Sequence, residues 1–294
     1  MDYRDEVFMA VAEKLSFSKA AQMLFISQPA VTKHIKELEN KFQTNLFERK
    51  GNKIHLSPAG ELCYNKLKLI RQQYQELAYE LGRINDVHRG QLNIGASSTI
   101  SQYVIPEVLA NFHKRYPFIK LNLFNGNSDT IIRRLQQNEL DIALVENNHS
   151  ENNIRYAAFL DDEIIAVASP AQSIARKKRL NTNDLQHLAL VLREEGSGSL
   201  EVIIEYLSKH IDIANLNIAM HLGSTEAIKN FLCEFNGIAF VSERSVKREL
   251  ENKHLVQIPI NNLHIVRQFR FAIRQGHEQQ LSELFRNFLI QYQL

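Results

Sequence analysis

The chain has 294 residues, of which 44% are hydrophobic and 23% charged. This length allows two or three compact units, and the composition is typical of soluble globular proteins. The formal net charge of +2 excludes nucleic-acid binding through a broad basic surface.

The small positive excess is unevenly distributed. Residues 1–57 hold nine Lys and Arg against seven Asp and Glu, whereas the rest of the chain holds 26 of each. Contacts of the N-terminal part with a polyanion must therefore come from individually placed residues and from the pairing of two subunits.

Sequence features of membrane insertion, export and metal binding are absent. No apolar run is long enough to cross a bilayer, and the charged N-terminus lacks the apolar segment of a signal peptide. The two cysteines, Cys63 and Cys233, match no metal-ligand spacing. We expect a cytoplasmic protein with free thiols, no membrane partner, no metal and no cofactor.

Two short helical patterns between residues 18 and 38 meet at a tight turn, and a further helix over residues 7–15 backs them. Ser18 is the expected N-cap of the first, and Ser27 that of the second, with Pro29 in its first turn. In the second helix the buried stripe is expected to consist of Val31, Ile35, Leu38 and Phe42. The opposite face is polar and cationic, which predicts a helix-turn-helix whose second helix enters a DNA major groove.

A basic hairpin follows at residues 46–57. Gly51 and Asn52 are suited to the positive φ angles of a tight turn between two short strands. Such a hairpin beside a helix-turn-helix is a wing that touches phosphates or a minor groove. The residues expected to contact DNA are Ser27, Gln28, Pro29, Ala30, Thr32, Lys33, Lys36, Arg49, Lys50 and Lys53.

A long helix is predicted from residue 58 to about residue 87. Its apolar residues repeat at alternating spacings of four and three, which is typical of a two-helix seam. The expected seam consists of Cys63, Leu67, Ile70, Tyr74, Leu77, Leu81 and Ile84. The alternative is a helix packed on the C-terminal part of its own chain.

Beyond residue 90, short apolar strands alternate with helical patterns. Strands are predicted at residues 91–96, 120–124, 141–145, 163–169, 189–192, 217–222, 238–242 and 267–274. Helices are predicted at residues 104–116, 130–138, 200–210, 225–234 and 279–292. This alternation indicates an α/β fold with a parallel sheet.

Small hydroxyl residues occupy four of the predicted strand-to-helix turns. Hydroxyls and free amides at helix N-termini together favour a carboxylate, sulfate or phosphate, although each Ser or Thr taken singly is more often only an N-cap. Arg193 either adds a contact to such an anion or pairs with Glu194. The expected effector-binding residues are Ser97, Ser98, Thr99, Ser128, Arg193, Ser197, Ser199, Ser224 and Thr225.

Several of these blocks carry a resemblance to a known family. Residues 15–18, 20–21, 26–32, 35–39, 46–49 and 56–60 closely resemble the DNA-binding domain of LysR-type transcriptional regulators, except that Gln43 stands where the family usually has glycine. Residues 92–97, 126–128, 193–199 and 223–229 resemble the CysL-like subgroup of the family's effector domain.

The resemblance implies a winged helix-turn-helix at residues 1–57, a dimerisation linker helix at 58–89 and a two-lobed effector domain, of the periplasmic-binding-protein type, at 90–294. The first lobe would comprise about 91–160 and 268–294, and the second about 161–267.

The function expected from the whole sequence is that of a DNA-binding transcriptional regulator, modulated by a small anion bound between the lobes. It would be a homodimer or tetramer with double-stranded DNA as its partner, and RNA polymerase is left open as a further partner. No nucleophile elbow, P-loop or zinc motif is present, so no catalytic residue is expected. The alternative is an α/β enzyme with a winged-helix docking module.

Overall fold

The computed structural model describes residues 1–51, 53–84, 88–146, 150–176, 179–276 and 279–292. It contains two compact units, Met1–Gly90 and Gln91–Leu294. Within the described ranges, no helix combines the length and apolar character needed to cross a bilayer. The expected turn residue Asn52 and the last expected turn of the linker helix, 85–87, lie outside the described residues.

The first unit is helical with one hairpin. Its elements are α1 (Tyr3–Lys14), α2 (Phe17–Leu24), α3 (Gln28–Phe42), β1 (Phe47–Lys50), β2 (Lys53–Leu56) and α4 (Pro58–Ile84). The core between α1, α2, α3 and the hairpin contains Phe8, Ala20, Val31, Leu38 and Leu46. Gly60 lets α4 approach this core closely, since a Cβ there would lie 2.0 Å from the carbonyl oxygen of Leu46.

Two details of this unit correct the sequence analysis. The N-cap of α2 is Ser16, whose hydroxyl accepts from the amide of Lys19 at 3.3 Å, and not Ser18. Phe42 is 46% exposed because it lies in the last turn of α3, beyond the part that packs on α1 and α2. The buried stripe therefore ends at Leu38.

The turn after α3 explains why a glycine is usual at residue 43. Gln43 has a φ of 54°, the left-handed conformation that closes many helices and that glycine adopts without steric cost. The amide of Thr44 donates to the carbonyl of Glu39 at 3.1 Å and completes the turn. Gln43 thus keeps the expected turn geometry at some conformational cost.

Helix α4 has two differently placed parts. Cys63 and Leu67 pack into the core of the first unit, so they lie outside any seam that this helix could form. The remaining seam residues expose 39–77% of their surface, and they are Ile70, Tyr74, Leu77, Leu81 and Ile84.

The second unit is an α/β structure. Its strands are β3 (Gly90–Ser97), β4 (Ile119–Gly126), β5 (Ile142–Val145), β6 (Ile154–Ala168), β7 (Leu190–Arg193), β8 (Ile218–Leu222), β9 (Ile238–Ser242), β10 (Val256–Gln257) and β11 (Ile265–Arg274). Its α-helices are α5 (Pro106–Arg115), α6 (Ser128–Gln136), α7 (Gly198–Ser208), α8 (Thr225–Glu234), α9 (Glu243–Glu251) and α10 (Gln280–Gln291). A π-helix at Ile100–Val104 and short 3-10 helices at Ser173–Arg176, Thr182–His187 and Ile213–Asn215 complete it.

The sheet formed by the described residues is mixed, which corrects the expectation of a parallel sheet. Its strand order is β4-β3-β5-β11-β6-β9-β7-β8, and β10 pairs with β6. β3 and β5 are parallel, as are β7, β8 and β9, but β11 runs antiparallel to β5 and β6. The antiparallel strands arise because the chain leaves the first lobe along β6 and returns along β11.

The two lobes have separate hydrophobic cores. The first is built around Ile131, Leu135 and Val145. The second flanks its part of the sheet with one cluster that includes Leu192 and Phe240 and another that includes Ile228 and Val241. The expected lobe boundaries fall inside β6 and β11, where Asp161 faces Gln268, and they stay a prediction.

Candidate functional site

The outer face of α3 is exposed and held in place at its N-terminus. The Ser27 hydroxyl accepts from the amide of Ala30 at 3.3 Å, and the Thr32 hydroxyl donates to the carbonyl of Gln28 at 3.1 Å. The Ser18 hydroxyl donates to the side-chain oxygen of Gln28 at 3.2 Å and so fixes how that amide projects. Within this face Gln28, Pro29, Lys33 and Lys36 are exposed, whereas Ala30 and Thr32 are half-buried.

The wing places its three cations at the hairpin tip. Lys50 pairs with Lys53 in the last rung of the β1–β2 ladder, next to Arg49, and all three are exposed. A cavity of about 480 Å³ separates the wing from α2 and α3 and is lined in part by Ser18, Gln28, Arg49 and Lys53.

Glu39 fixes the wing to α3, a role that the sequence analysis missed. Its carboxylate accepts hydrogen bonds from the backbone amides of Leu46 and Phe47, at 2.8 and 3.4 Å, and so holds the start of β1 against α3. Because the acceptor is a carboxylate, these bonds are stronger than bonds between neutral groups.

In the second unit, several turns that carry hydroxyls lie next to one another. Arg193, at the end of β7, donates from Nη2 to the Ser98 hydroxyl at 3.5 Å, and Ser98 donates to the carbonyl of Gly126 at 3.4 Å. The amide of Asp129 donates to the carbonyl of Gly196 at 3.3 Å. These contacts join the ends of β3 and β4 in the first lobe to the turn between β7 and α7 in the second.

The region around these turns, called the cleft below, contains buried polar atoms that have no hydrogen-bond partner among the described residues. They are Thr99 Oγ1, Ser128 Oγ, Ser197 Oγ, Arg193 Nη1 and Arg267 Nη2. Buried polar groups without a partner are rare, because each loses its hydration without compensation. A small ligand that accepts several hydrogen bonds at once would satisfy them.

Arg193 pairs with Glu194 and also keeps one nitrogen that could contact an anion, the two possibilities that the sequence left open. The side chain is 2% exposed, and Nε and Nη2 donate to the carboxylate of Glu194 at 2.8 and 3.0 Å. Nη1 remains without a partner among the described residues. The guanidinium is therefore salt-bridged on one side and free to donate on the other.

Besides Ser98 and Arg193, three further expected effector-binding residues already have partners. The Ser97 and Ser199 hydroxyls donate to the carboxylate of Glu146 at 2.7 and 2.8 Å. The Ser224 hydroxyl caps α8 by accepting from the amide of Ala227 at 3.1 Å. Thr225, which begins α8, is buried.

A buried ion-pair network around Arg267 adjoins these residues and shares Ser199 with them, and the sequence analysis missed it. Arg267 on β11 donates from Nε to Asp162 on β6 at 2.8 Å, and its Nη1 lies 3.3 Å from Glu146. Nη1 also donates to the Ser199 hydroxyl at 2.8 Å, and the Ser242 hydroxyl donates to Asp162 at 2.7 Å. One signal for Glu146 is its position directly after strand β5, matching the position of the hydroxyls after β3.

A second polar network joins the lobes at their surface. The Tyr103 hydroxyl, from the π-helix, donates to the carboxylate of Glu226 on α8. Lys229 forms ion pairs with Glu226 and Glu249 at 2.7 and 2.8 Å and donates to the carbonyl of Ser245 at 3.0 Å. Burial and the hydrogen bond to Glu226 raise the pKa of Tyr103, so the phenol stays protonated at neutral pH. Burial lowers the pKa of Lys229, but the hydrogen bonds to Glu226 and Glu249 outweigh it and raise the pKa.

Comparison with known proteins decides the family. A family model described as the LysR substrate binding domain matches residues 85–293, and one described as the bacterial regulatory helix-turn-helix protein, lysR family, matches residues 5–61. The HTH-type transcriptional regulator CysL of Bacillus subtilis (strain 168) is 32% identical over 268 residues, 90% of this chain and 88% of CysL. The chain belongs to the LysR family of transcriptional regulators. The alternative of an α/β enzyme with a docking module is thereby set aside, since this family regulates transcription.

Two solved structures of LysR-type proteins resemble this one. Full-length CbnR in complex with its target DNA superposes with a TM-score of 0.71 at 18% identity, covering 98% of this chain and 99% of CbnR. The regulatory domain of CcmR from Synechocystis PCC6803, in complex with 2-PG, has a TM-score of 0.61 at 27% identity, covering 68% of this chain and 95% of that domain. These likenesses confirm the predicted fold class of a LysR-type winged helix-turn-helix and a two-lobed effector domain.

The Arg267 network generates a stability prediction. Asp162→Ala removes a buried carboxylate and leaves Arg267 short of a partner, so we expect the free energy of unfolding to fall by about 3–5 kcal/mol. The neighbouring Asp161 is exposed, and its side chain accepts a hydrogen bond from Gln268 at 3.1 Å. Asp161→Ala should therefore cost less than about 0.5 kcal/mol. Urea unfolding followed by circular dichroism measures both, and equal losses would contradict the assigned role of Asp162.

Proposed function

We propose that this LysR-type regulator binds a partly palindromic DNA site as a dimer, or as a pair of dimers, and responds to a small anion held between the lobes of its effector domain. The observation that carries the proposal is a group of buried donors in the cleft that have no partner in the described part of the chain, among them Thr99, Ser128 and Nη1 of Arg193. A site of action on operator DNA also favours the cytoplasm, and RNA polymerase is a further candidate partner.

The DNA-binding part of the proposal rests on the exposed face of α3 and on the wing. Gln28 lies in the first turn of α3, where side chains reach base edges. Its side-chain amide can donate one hydrogen bond to a base and accept another from it. Arg49 and Lys53 are exposed cations on a hairpin, a position suited to phosphates. Sequence-specific contacts are therefore assigned to α3 and general affinity to the wing.

Replacing these residues separates the two contributions. Gln28→Ala should weaken specific operator binding by about 1–3 kcal/mol and reduce discrimination between sequences. Arg49→Ala or Lys53→Ala should weaken binding to every sequence equally and reduce the salt dependence. Gel-shift titrations at several salt concentrations measure both effects on the protein's own upstream region and on random DNA.

The control for these variants is Lys41→Ala. Lys41 lies in the last turn of α3, roughly 20 Å along the helix axis from Gln28. Its removal should leave operator affinity unchanged. Unchanged affinity in the Gln28, Arg49 and Lys53 variants as well would overturn the assigned DNA interface.

The dimer is assigned to the distal part of α4. The apolar residues on this part of α4 are exposed to water, and packing two copies of the helix together would bury them, which is favourable. Tyr74 is 54% exposed and Leu77 50%, and they lie at the alternating spacing that two-helix seams use. Cys63 and Leu67 are left out of this seam because they pack in the core of their own unit.

A charge placed in the seam should separate the subunits. Leu77→Glu would bury a carboxylate between two helices, so we expect monomers with weak operator affinity. Ala78→Glu adds the same charge one residue further along, at a position that flanks a seam and tolerates charge, and should leave the dimer intact. Sedimentation velocity distinguishes these outcomes, and a dimeric Leu77 variant would show that the subunits pair through another surface.

The effector is assigned to the anion class by the character of its donors. Hydroxyls and an arginine that is free to donate on one side match the oxygens of a carboxylate, sulfate, sulfite or phosphate. Arg193 is partly neutralised by Glu194, so an entering anion adds a partner at Nη1 without displacing that pair.

Two cleft variants should change anion binding in opposite directions. Thr99→Ala removes one hydrogen bond to a charged group and should cost about 1.5–3 kcal/mol in affinity. Glu194→Gln removes the charge that competes for Arg193 and should strengthen anion binding. A thermal-shift screen with sulfate, sulfite, thiosulfate, phosphate and simple carboxylates finds the ligand, since binding stabilises the fold by roughly 2.7 kcal/mol at a hundredfold excess over Kd.

Ser208→Ala is the control, since this hydroxyl bonds to the carbonyl of Glu205 near the exposed end of α7. It should respond to the anion as the unmodified protein does. Operator binding without ligand should survive in all three variants. A ligand that stabilises the Thr99 variant and the unmodified protein equally must bind outside this cleft.

A further inference from the structure

A second pocket lies beside the effector cleft. It has a volume of about 460 Å³, within the usual range for small-molecule sites. Its lining comes from the π-helix of the first lobe and from α8 and α9 of the second. The lining residues are Gln102, Tyr103, Glu226, Lys229, Arg244, Ser245, Lys247, Arg248 and Glu249. None of the expected effector-binding residues is among them.

The lining of this pocket is positive. It holds four cationic side chains and two carboxylates, a formal charge of +2. Both carboxylates, Glu226 and Glu249, are already paired with the buried Lys229. The other three cations of the lining, Arg244, Lys247 and Arg248, lie on α9, on which Glu249 is the one carboxylate that also lines the pocket.

The cations of α9 share one face of the helix. Arg244, Lys247 and Arg248 stand at positions i, i+3 and i+4, which project side by side. Arg244 lies 3.8 Å from Asp162, whereas Lys247 and Arg248 have no ion-pair partner in the part of the chain that the structure describes. Two neighbouring cations that have no ion pair with any described residue, on a concave surface, favour a ligand with more than one negative group.

We propose that this pocket is a second effector site that binds a small polyanion, carrying at least two phosphate or carboxylate groups, on Lys247 and Arg248. Its concave shape favours a small molecule over a nucleic acid, which would need an extended basic surface. Tyr103 of the first lobe and α9 of the second both line the pocket. A ligand that touches both favours the arrangement in which Tyr103 binds Glu226, and so acts on the same equilibrium as the cleft.

Isothermal titration calorimetry of the full-length protein at low ionic strength tests the proposal, with inorganic pyrophosphate and citrate as probes. Either probe should bind, and binding of only one identifies the anionic group that the pocket prefers. The double variant Lys247→Gln, Arg248→Gln should raise the Kd about tenfold or more, because it removes two charge-assisted contacts. Binding of neither probe would overturn the proposal.

Two control variants separate this pocket from other sites. Lys114→Gln removes an exposed cation of α5 and should leave the Kd for the probes unchanged. Thr99→Ala should also leave the Kd for the probes unchanged, although it weakens binding of a single anion in the cleft. Loss of pyrophosphate and citrate binding in the Thr99 variant would place the probes in the cleft and contradict a second site.

The unfolding temperature without probe is the folding control for the double variant, whose replaced side chains are exposed. A double variant that binds both probes normally but has lower affinity for random DNA would assign Lys247 and Arg248 to nucleic acid and would overturn the small-molecule site.

Discussion

The buried guanidinium of Arg267 is the group on which the arrangement of the effector domain depends. It has no exposed side-chain surface, and its partners come from three other segments: Asp162 on β6, Glu146 after β5, and Ser199 on α7. An unpaired charge at such a depth would cost several kcal/mol, so these segments must meet wherever Arg267 lies. The network thus fixes the position at which β6 and β11 pass between the lobes. Through its hydrogen bonds to Ser199 it also holds a residue of the cleft in place.

This support explains why the cleft can hold unpartnered donors. Glu146 accepts from the hydroxyls of Ser97 and Ser199, while the neighbouring hydroxyls of Thr99 and Ser197 have no partner among the residues that the structure describes. The protein's own carboxylate therefore uses two of the buried donors, and the proposed ligand would use the others. Because a ligand shifts the lobes only by its differential affinity for their arrangements, donors that come from both lobes are the ones that couple binding to movement.

Local signals in the sequence predicted much of the fold. Ser27 caps α3 as expected, and α8 has the predicted bounds Thr225–Glu234, since both follow from capping and periodicity within a few residues. Signals that depend on distant parts of the chain were missed. Pairing of Glu146 with Arg267 joins residues far apart in sequence, and no local pattern reveals it.

The errors in the sequence analysis have the same physical origin. Ser16 and Ser18 are both suitable caps for α2, and the packing of α2 on its neighbours decides between them. β6 begins at Ile154, well before the predicted start at residue 163, because its first half alternates with exposed residues and has no continuous apolar run. The effector-binding role of the hydroxyls at the strand ends stays a prediction, and the sequence does not indicate that Glu146 binds two of them.

Helix α4 connects the two proposed functions of the first unit through its packing. Its first turns are part of the winged-helix core through Leu67, and Arg71 lies 3.7 Å from Glu13 of α1. The same helix carries the exposed stripe further along, so the stripe and the recognition helix α3 belong to one packed body. Close-packed interiors deform little, and a change in how two stripes meet must therefore rotate the recognition helices as a unit. In the proposed dimer, the spacing of the DNA half-sites would then follow from the geometry of the seam, without any change inside the winged helix itself.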